Sequence, residues 1–168
     1  MPGIIRKAVY PGSFDPVTLG HLDIIKRAAE MFDGVVVAVL ENRGKTPLFS
    51  VQERMEQLRR AVKPYRNVEV DSFSGLLVEY LRRRDIRVAI RGLRAVSDLE
   101  YEFQLAHVNR KLYPRMETVF LMPGEKYVYL TSTIVREVAS LGGKLHSHVP
   151  PAVAAALRKK FKSAPGLP

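Results

Sequence analysis

Two short stretches, one joining a hydroxyl to a glycine and a histidine and the other joining hydroxyls to an arginine, have spacings that suit phosphate chemistry. The first is Thr18-Leu19-Gly20-His21, at the start of a segment with helical apolar periodicity. Thr18 suits a helix N-cap, and Gly20 lets a ligand approach the backbone. Free N–H groups and the positive end of the helix dipole then attract an anion. A histidine in that first turn tends toward its neutral form, yet one ring nitrogen can still donate a hydrogen bond. The second stretch is Tyr129-Leu130-Thr131-Ser132-Thr133, with Arg136 one turn on. One hydroxyl is enough to cap a helix, so three in a row exceed that need and suit a polyphosphate. The usual fingerprints are missing. No G-x-G-x-x-G follows the first strand and no G-x-x-x-x-G-K-[ST] occurs, which argues against a dinucleotide site and against a P-loop.

Composition agrees with an anionic ligand without choosing among anions. Twenty-seven Lys and Arg stand against 17 Asp and Glu, a net charge of +10 over 168 residues. Nucleic acid, acidic lipid and phosphorylated metabolites all fit that excess. Arg82-Arg83-Arg84 and Arg158-Lys159-Lys160 read as solvated helix faces, whereas other cations stand singly just after strands. The 46% apolar content supports a real core, and the absence of cysteine excludes disulfides and thiolate chemistry. No apolar run reaches membrane-spanning length and no signal-peptide core follows Met1, so a soluble, cytoplasmic protein is expected.

Strand and helix alternate along the chain. Strands are expected at Lys7–Tyr10 (closed by Pro11-Gly12), Val35–Leu40, Val68–Val70, Val88–Arg91 and Thr118–Met122. Helices are expected over His21–Phe32, from the Ser50–Glu53 capping box to Val62, and over Leu76–Arg84. A fourth helix follows a second capping box at Ser97–Glu100, with Tyr101, Leu105, Val108 and Leu112 on one stripe. Further helices run over Ser132–Leu141 and from Pro150-Pro151 to near Phe161. This pattern specifies one α/β domain, a doubly wound five-stranded parallel sheet over residues 1–162, with 163–168 a loose tail.

In such sheets ligands bind beyond the carboxyl ends of the strands, where strand order reverses. The chemically distinctive residues fall in those loops: Ser13 and Phe14 after the first strand, Lys45 after the second, and Arg91 to Arg94 after the fourth. The stretch Tyr127 to Thr133 follows the fifth. Elsewhere, His107 reads as a packing or interface residue. His146 and His148 have no evident third metal ligand.

Thr18-Leu19-Gly20-His21 resembles the T/H-x-G-H signature of the α/β nucleotidyltransferases, and Thr131-Ser132-Thr133 with Arg136 resembles their hydroxyl-rich second motif. A closer resemblance is to the bacterial phosphopantetheine adenylyltransferases. It rests on Tyr10 to Pro16, Ile90 to Val96, Glu100-Tyr101-Glu102, Gln104 to His107 with Asn109-Arg110, and Phe120 to Pro123. The likeness spans roughly residues 7–160. It implies a Rossmann-like nucleotidyltransferase fold, and transfer of an adenylyl group from ATP to 4′-phosphopantetheine with Mg²⁺. The products would be dephospho-coenzyme A and pyrophosphate, and the assembly a homo-oligomer, a hexamer in that family.

By the same resemblance His21 is the catalytic residue, contacting the α-phosphate. Ser13 and Phe14 sit where the substrates meet, and Ser13, Lys45, Leu77 and Arg91 hold phosphopantetheine. ATP falls to Ser13, Phe14, His21, Gly92, Leu93, Arg94, Glu102 and the run Tyr127, Val128, Tyr129, Leu130, Thr131, Ser132, Thr133. Metal ligands from the protein are not expected, Mg²⁺ being held chiefly by substrate phosphates. Ser13 stands where threonine is frequent, Tyr127 where tryptophan is, and Thr131 and Thr133 replace serines. Two other readings compete. One is a related nucleotidyltransferase using nicotinate mononucleotide or a CTP-dependent phospho-alcohol. The other is a nucleic-acid-binding module, disfavoured because the aromatics do not interleave with a basic strip.

Overall fold

The computed structural model of the chain describes residues 6–41, 44 and 46–162, so the expectations on Lys45 and on the 163–168 tail lie outside the described residues. The continuous apolar run after the first helix forms β2 (Gly34–Glu41), an interior strand beside the central β1 (Lys7–Gly12). The remaining strands are β3 (Val68–Ser74), β4 (Val88–Gly92) and β5 (Glu117–Leu121). All pair in parallel in the order β3-β2-β1-β4-β5. The helices are α1 (Leu19–Met31), α2 (Val51–Val62), α3 (Leu77–Arg83), α4 (Val96–Leu112), α5 (Ser132–Ser140) and α6 (Pro151–Lys162).

Period-two alternation divides the sheet between two cores. Ala8, Tyr10, Val35, Val37, Val39 and Ile90 face one side, against Ile24, Ile25 and Ala28 of α1, Leu58 of α2, Val135 of α5 and Leu157 of α6. Val9, Val36, Ala38 and Ala89 face the other side, against Val78 and Leu81 of α3 with Tyr113 and Met116. Because β1 is flanked by β2 on one edge and β4 on the other, the winding direction reverses between β1 and β4, and their carboxyl ends open a crevice there.

Several expectations need correction. Pro11-Gly12 does not close β1; both pair with β2, at Ala38 and Val39. β3 runs on through Asp71 and Ser72 to Ser74, polar residues that an edge strand can carry. The capping box at Ser50–Glu53 is present, whereas Ser97 lies inside α4 rather than at its N-cap. There α4 begins two residues earlier than expected, with Ala95 as an N-cap lacking a side-chain bond, and Asp98 turns back to Arg94. The expected packing stripe of α4 is the larger error. Tyr101, Val108 and Leu112 are exposed, and the inward side is Glu102 with half-buried Leu105, Ala106 and Asn109.

Candidate active site

The β1–α1 loop is built to start a helix at the crevice. Thr18 is the N-cap of α1, its hydroxyl accepting from the His21 N–H at 3.3 Å. Reciprocally, the Thr18 N–H donates to His21 Nδ1 at 3.0 Å. With Nδ1 an acceptor, the ring proton sits on Nε2. Burial, reinforced by the positive charge of Arg94, pushes the pKa of His21 down to about 4. The imidazole is therefore a neutral donor at pH 7, fixed in tautomer by the helix it caps. Phe14 packs edge-on against it, ring centroids 5.1 Å apart.

Around His21 lies a cleft of about 400 Å³. Gly12 and Phe14 line it from the β1 side, and Thr18 and Gly20 from α1; Arg91, Gly92 and Arg94 line it from the end of β4. Glu102 of α4, Tyr127 and Leu130 to Thr133 complete the wall. Two helix N-termini, those of α1 and α5, thus open onto one space.

The three adjacent hydroxyls of the α5 start divide their work. Thr131 caps the helix by accepting from the Ile134 N–H at 3.0 Å. Ser132 donates to the Pro16 carbonyl at 2.8 Å, tying α5 to the β1–α1 loop. Thr133 has no hydrogen-bond partner among the described residues and borders the cleft. The surplus over capping is thus one hydroxyl, because the other is spent on joining two loops.

Arg91 and Glu102 form a two-pronged pair, Nε to Oε2 at 2.7 Å and Nη2 to Oε1 at 2.6 Å. Burial pulls the Arg91 pKa down, but the Glu102 hydrogen bonds and charge outweigh it and hold the guanidinium above its ordinary value. Both residues also border a tight recess with Leu77, Ala89, Leu105 and Met116. Burial likewise pushes the Tyr10 phenol well above its ordinary range, so it stays neutral.

Ser13 is not on this cleft. It lines an adjoining one of about 480 Å³ with Thr46, Arg54, Arg136 and the shared Ser132 and Thr133. Leu77 lies in the recess behind Arg91. Leu93, Val128 and Tyr129 border neither cleft: the Leu93 N–H donates to the Leu121 carbonyl, and Val128 and Tyr129 are exposed. His107 is exposed beside Phe103 and Phe120, and the His148 carbonyl accepts the Leu19 N–H at 2.8 Å.

Two buried polar residues at the site were missed from the sequence. Asp15 accepts from the N–H groups of Leu48 and Phe49 at 2.9 Å each and from Arg136 at 3.1 Å. Arg54 donates to the Ser13 carbonyl at 2.7 Å. Its signal was legible: Arg54 falls on the apolar stripe of α2 with Val51, Met55, Leu58 and Val62, where a cation is out of place.

Comparison with known proteins places these features in a family. The profile of the cytidylyltransferase-like family matches residues 9–138. A phosphopantetheine adenylyltransferase of Dictyoglomus turgidum is 58% identical over 93% of this chain and 98% of its own length. One of Azoarcus is 54% identical over 93% and 96%. Among solved structures, a Vibrio parahaemolyticus protein assigned as a nicotinate-nucleotide adenylyltransferase superposes with a TM-score of 0.70. It covers 92% of this chain and 99% of that one at 18% identity, a likeness of fold alone.

Proposed function

We infer the function from one premise: the chain belongs to the phosphopantetheine adenylyltransferases, within the cytidylyltransferase-like family. It transfers the adenylyl group of ATP to 4′-phosphopantetheine, yielding dephospho-coenzyme A and pyrophosphate. A phosphate oxygen of the acceptor forms the new bond to the α-phosphorus as the bond to the β-phosphate oxygen breaks. The nucleophile is already an oxyanion, so no general base is required, and pyrophosphate is a stable leaving group that needs no strong acid. Catalysis then reduces to alignment and to offsetting negative charge.

The residue roles combine what the resemblance implies with the geometry of the clefts. His21 donates from Nε2 to an α-phosphate oxygen as charge gathers there. The observation that carries this role is the Nδ1 bond to the Thr18 N–H, which leaves only the other ring nitrogen protonated. Phe14, Gly92, Arg94, Glu102, Tyr127 and the start of α5 surround ATP, with Thr133 offering its free hydroxyl to the phosphates. Ser13, from the adjoining cleft, meets both substrates. Arg91 and Leu77 face phosphopantetheine, the Arg91 N–H groups not spent on Glu102 suiting its phosphate and Leu77 its apolar arm, and the resemblance adds Lys45 to the same substrate. Among the described residues no group of three or more histidines or acids stands together. As the resemblance implies, Mg²⁺ would come in with ATP and offset charge on its phosphates.

Two coarser features complete the proposal. The exposed Tyr101, Phe103, Val108 and Leu112 give α4 an apolar outer face, which a second copy of the chain would cover in a hexamer. Light scattering at six times the 19.0 kDa chain mass is the expected result. Among the described residues no helix is long and apolar enough to cross a membrane, in keeping with a cytoplasmic enzyme. The reaction is tested by incubating the protein with Mg-ATP and either 4′-phosphopantetheine or nicotinate mononucleotide. Pyrophosphate release with the first alone is expected; release with the second alone would overturn the assignment.

A further inference from the structure

We infer that Arg54 is a positioning residue for adenylyl transfer, its buried guanidinium fixing the peptide that joins Ser13 to Phe14 at the edge of the reaction cleft. This rests on the reading of the cleft given above. Arg54 is only 3% exposed, yet among the described residues no carboxylate lies within ion-pair distance of it. Asp15, which lines the same cleft as Arg54, is already taken by the Leu48 and Phe49 amides and by Arg136. Arg54 instead donates to carbonyls on three elements: Ser13 at 2.7 Å, Leu40 at 3.3 Å and Ser50 at 3.4 Å. A buried cation without a counter-charge is costly, and on this stripe an apolar side chain would pack without that cost.

The shortest of the three bonds points to the task. Phe14 has a φ of 48°, a left-handed conformation unfavourable for a bulky residue, and is 2% exposed. Such a turn persists only where its surroundings over-determine it. In a trans peptide the N–H is antiparallel to the C=O, so anchoring the Ser13 carbonyl directs the Phe14 N–H away from Arg54. That N–H has no acceptor among the described residues. Arg54 thus sets the direction of a spare donor between Ser13, in one cleft, and the Phe14 ring, in the other. A lysine, a single point charge, cannot span three carbonyls in this way.

The test compares wild type, Arg54→Lys and Arg54→Met in steady-state pyrophosphate release, with thermal melts and the Phe14 amide followed by ¹⁵N NMR. For Arg54→Lys the expected result is a cooperative melt above assay temperature and a kcat lowered roughly 10- to 100-fold. KM values for both substrates should stay within about threefold, and the Phe14 amide signal should move or broaden. Wild-type kcat per folded molecule in either variant would reduce Arg54 to a fold-support role and overturn the inference. So would failure of both variants to fold, or an unmoved Phe14 amide. Should the wild type release no pyrophosphate, the reaction assignment falls, while the Phe14 amide still decides whether Arg54 holds the turn.

Discussion

Arg91 at the end of β4 and Glu102 in the first turns of α4 hold each other through two parallel hydrogen bonds of 2.7 and 2.6 Å, with side-chain exposures of 25% and 11%. The pair has a cost that substrate can relieve. Removing the carboxylate leaves a largely buried guanidinium without an acceptor, a loss of about 1–3 kcal/mol. Glu102→Ala is therefore expected to melt earlier than wild type. 4′-Phosphopantetheine should raise the melting temperature of the variant more than that of wild type, because its phosphate supplies the missing anion. Equal ligand-induced shifts in the two proteins would count against Arg91 as a phosphate-binding residue.

His21 separates transition-state stabilisation from binding. Truncation to alanine removes the Nε2 donor, and loss of one comparable oxyanion donor in an acyl-transfer site costs ~10²–10³ in kcat. His21→Ala is expected to show that loss with ATP affinity changed far less, measured by calorimetry beside steady-state kinetics. A near-normal kcat would remove His21 from the reaction.

The same histidine makes stability depend on pH in one direction. Burial first, and the charge of Arg94 second, lower its pKa from 6.5 in the unfolded chain to about 4 in the fold. The native state thus resists protonation. Its stabilising contribution is complete above about pH 6.5 and is lost as pH falls through about 4. Urea denaturation of wild type and His21→Gln should give a stability difference that changes between pH 6.5 and 4 and is flat above 7. A difference flat across the whole range would mean that His21 titrates normally in the fold.

The alternation of strand and helix was readable because strands buried on both faces, such as Val35 to Val39, leave continuous apolar runs that little else produces. Caps at Thr18 and Ser50 were equally plain, since a lone hydroxyl before a periodic segment has few other uses. The stripe on α4 misled because periodicity reveals that a helix has an apolar face without saying what covers it. Tyr101 and Val108 face out, while a carboxylate, Glu102, faces the sheet to meet Arg91. Asp15 was hidden for the converse reason. Composition assigns charged side chains to the surface, and only the folded loop shows the Leu48 and Phe49 amides that keep it inside, whereas Arg54 betrayed itself as a cation on the apolar stripe of α2.

Gly12 is a position where one methyl group should reach the chemistry. A Cβ there would stand 2.9 Å from Cζ and 3.0 Å from Cε2 of the Phe14 ring. That ring cannot swing clear: it is 2% exposed, and it meets Tyr10 at 5.4 Å and His21 at 5.1 Å between centroids. Any displacement passes either to the left-handed Phe14 backbone or to the His21 imidazole. At Gly92 the corresponding clash is also close, 2.7 Å, but it falls on the terminal methyl of Ile24, which can rotate. Gly12→Ala is accordingly expected to lose ~1–3 kcal/mol of stability, the usual range for overpacking. Its kcat should fall by more than that of Gly92→Ala, with both variants compared by denaturant melts and pyrophosphate release under saturating substrates. If Gly92→Ala proved the more damaging to kcat, the Phe14 ring would not be the element that holds His21 in place.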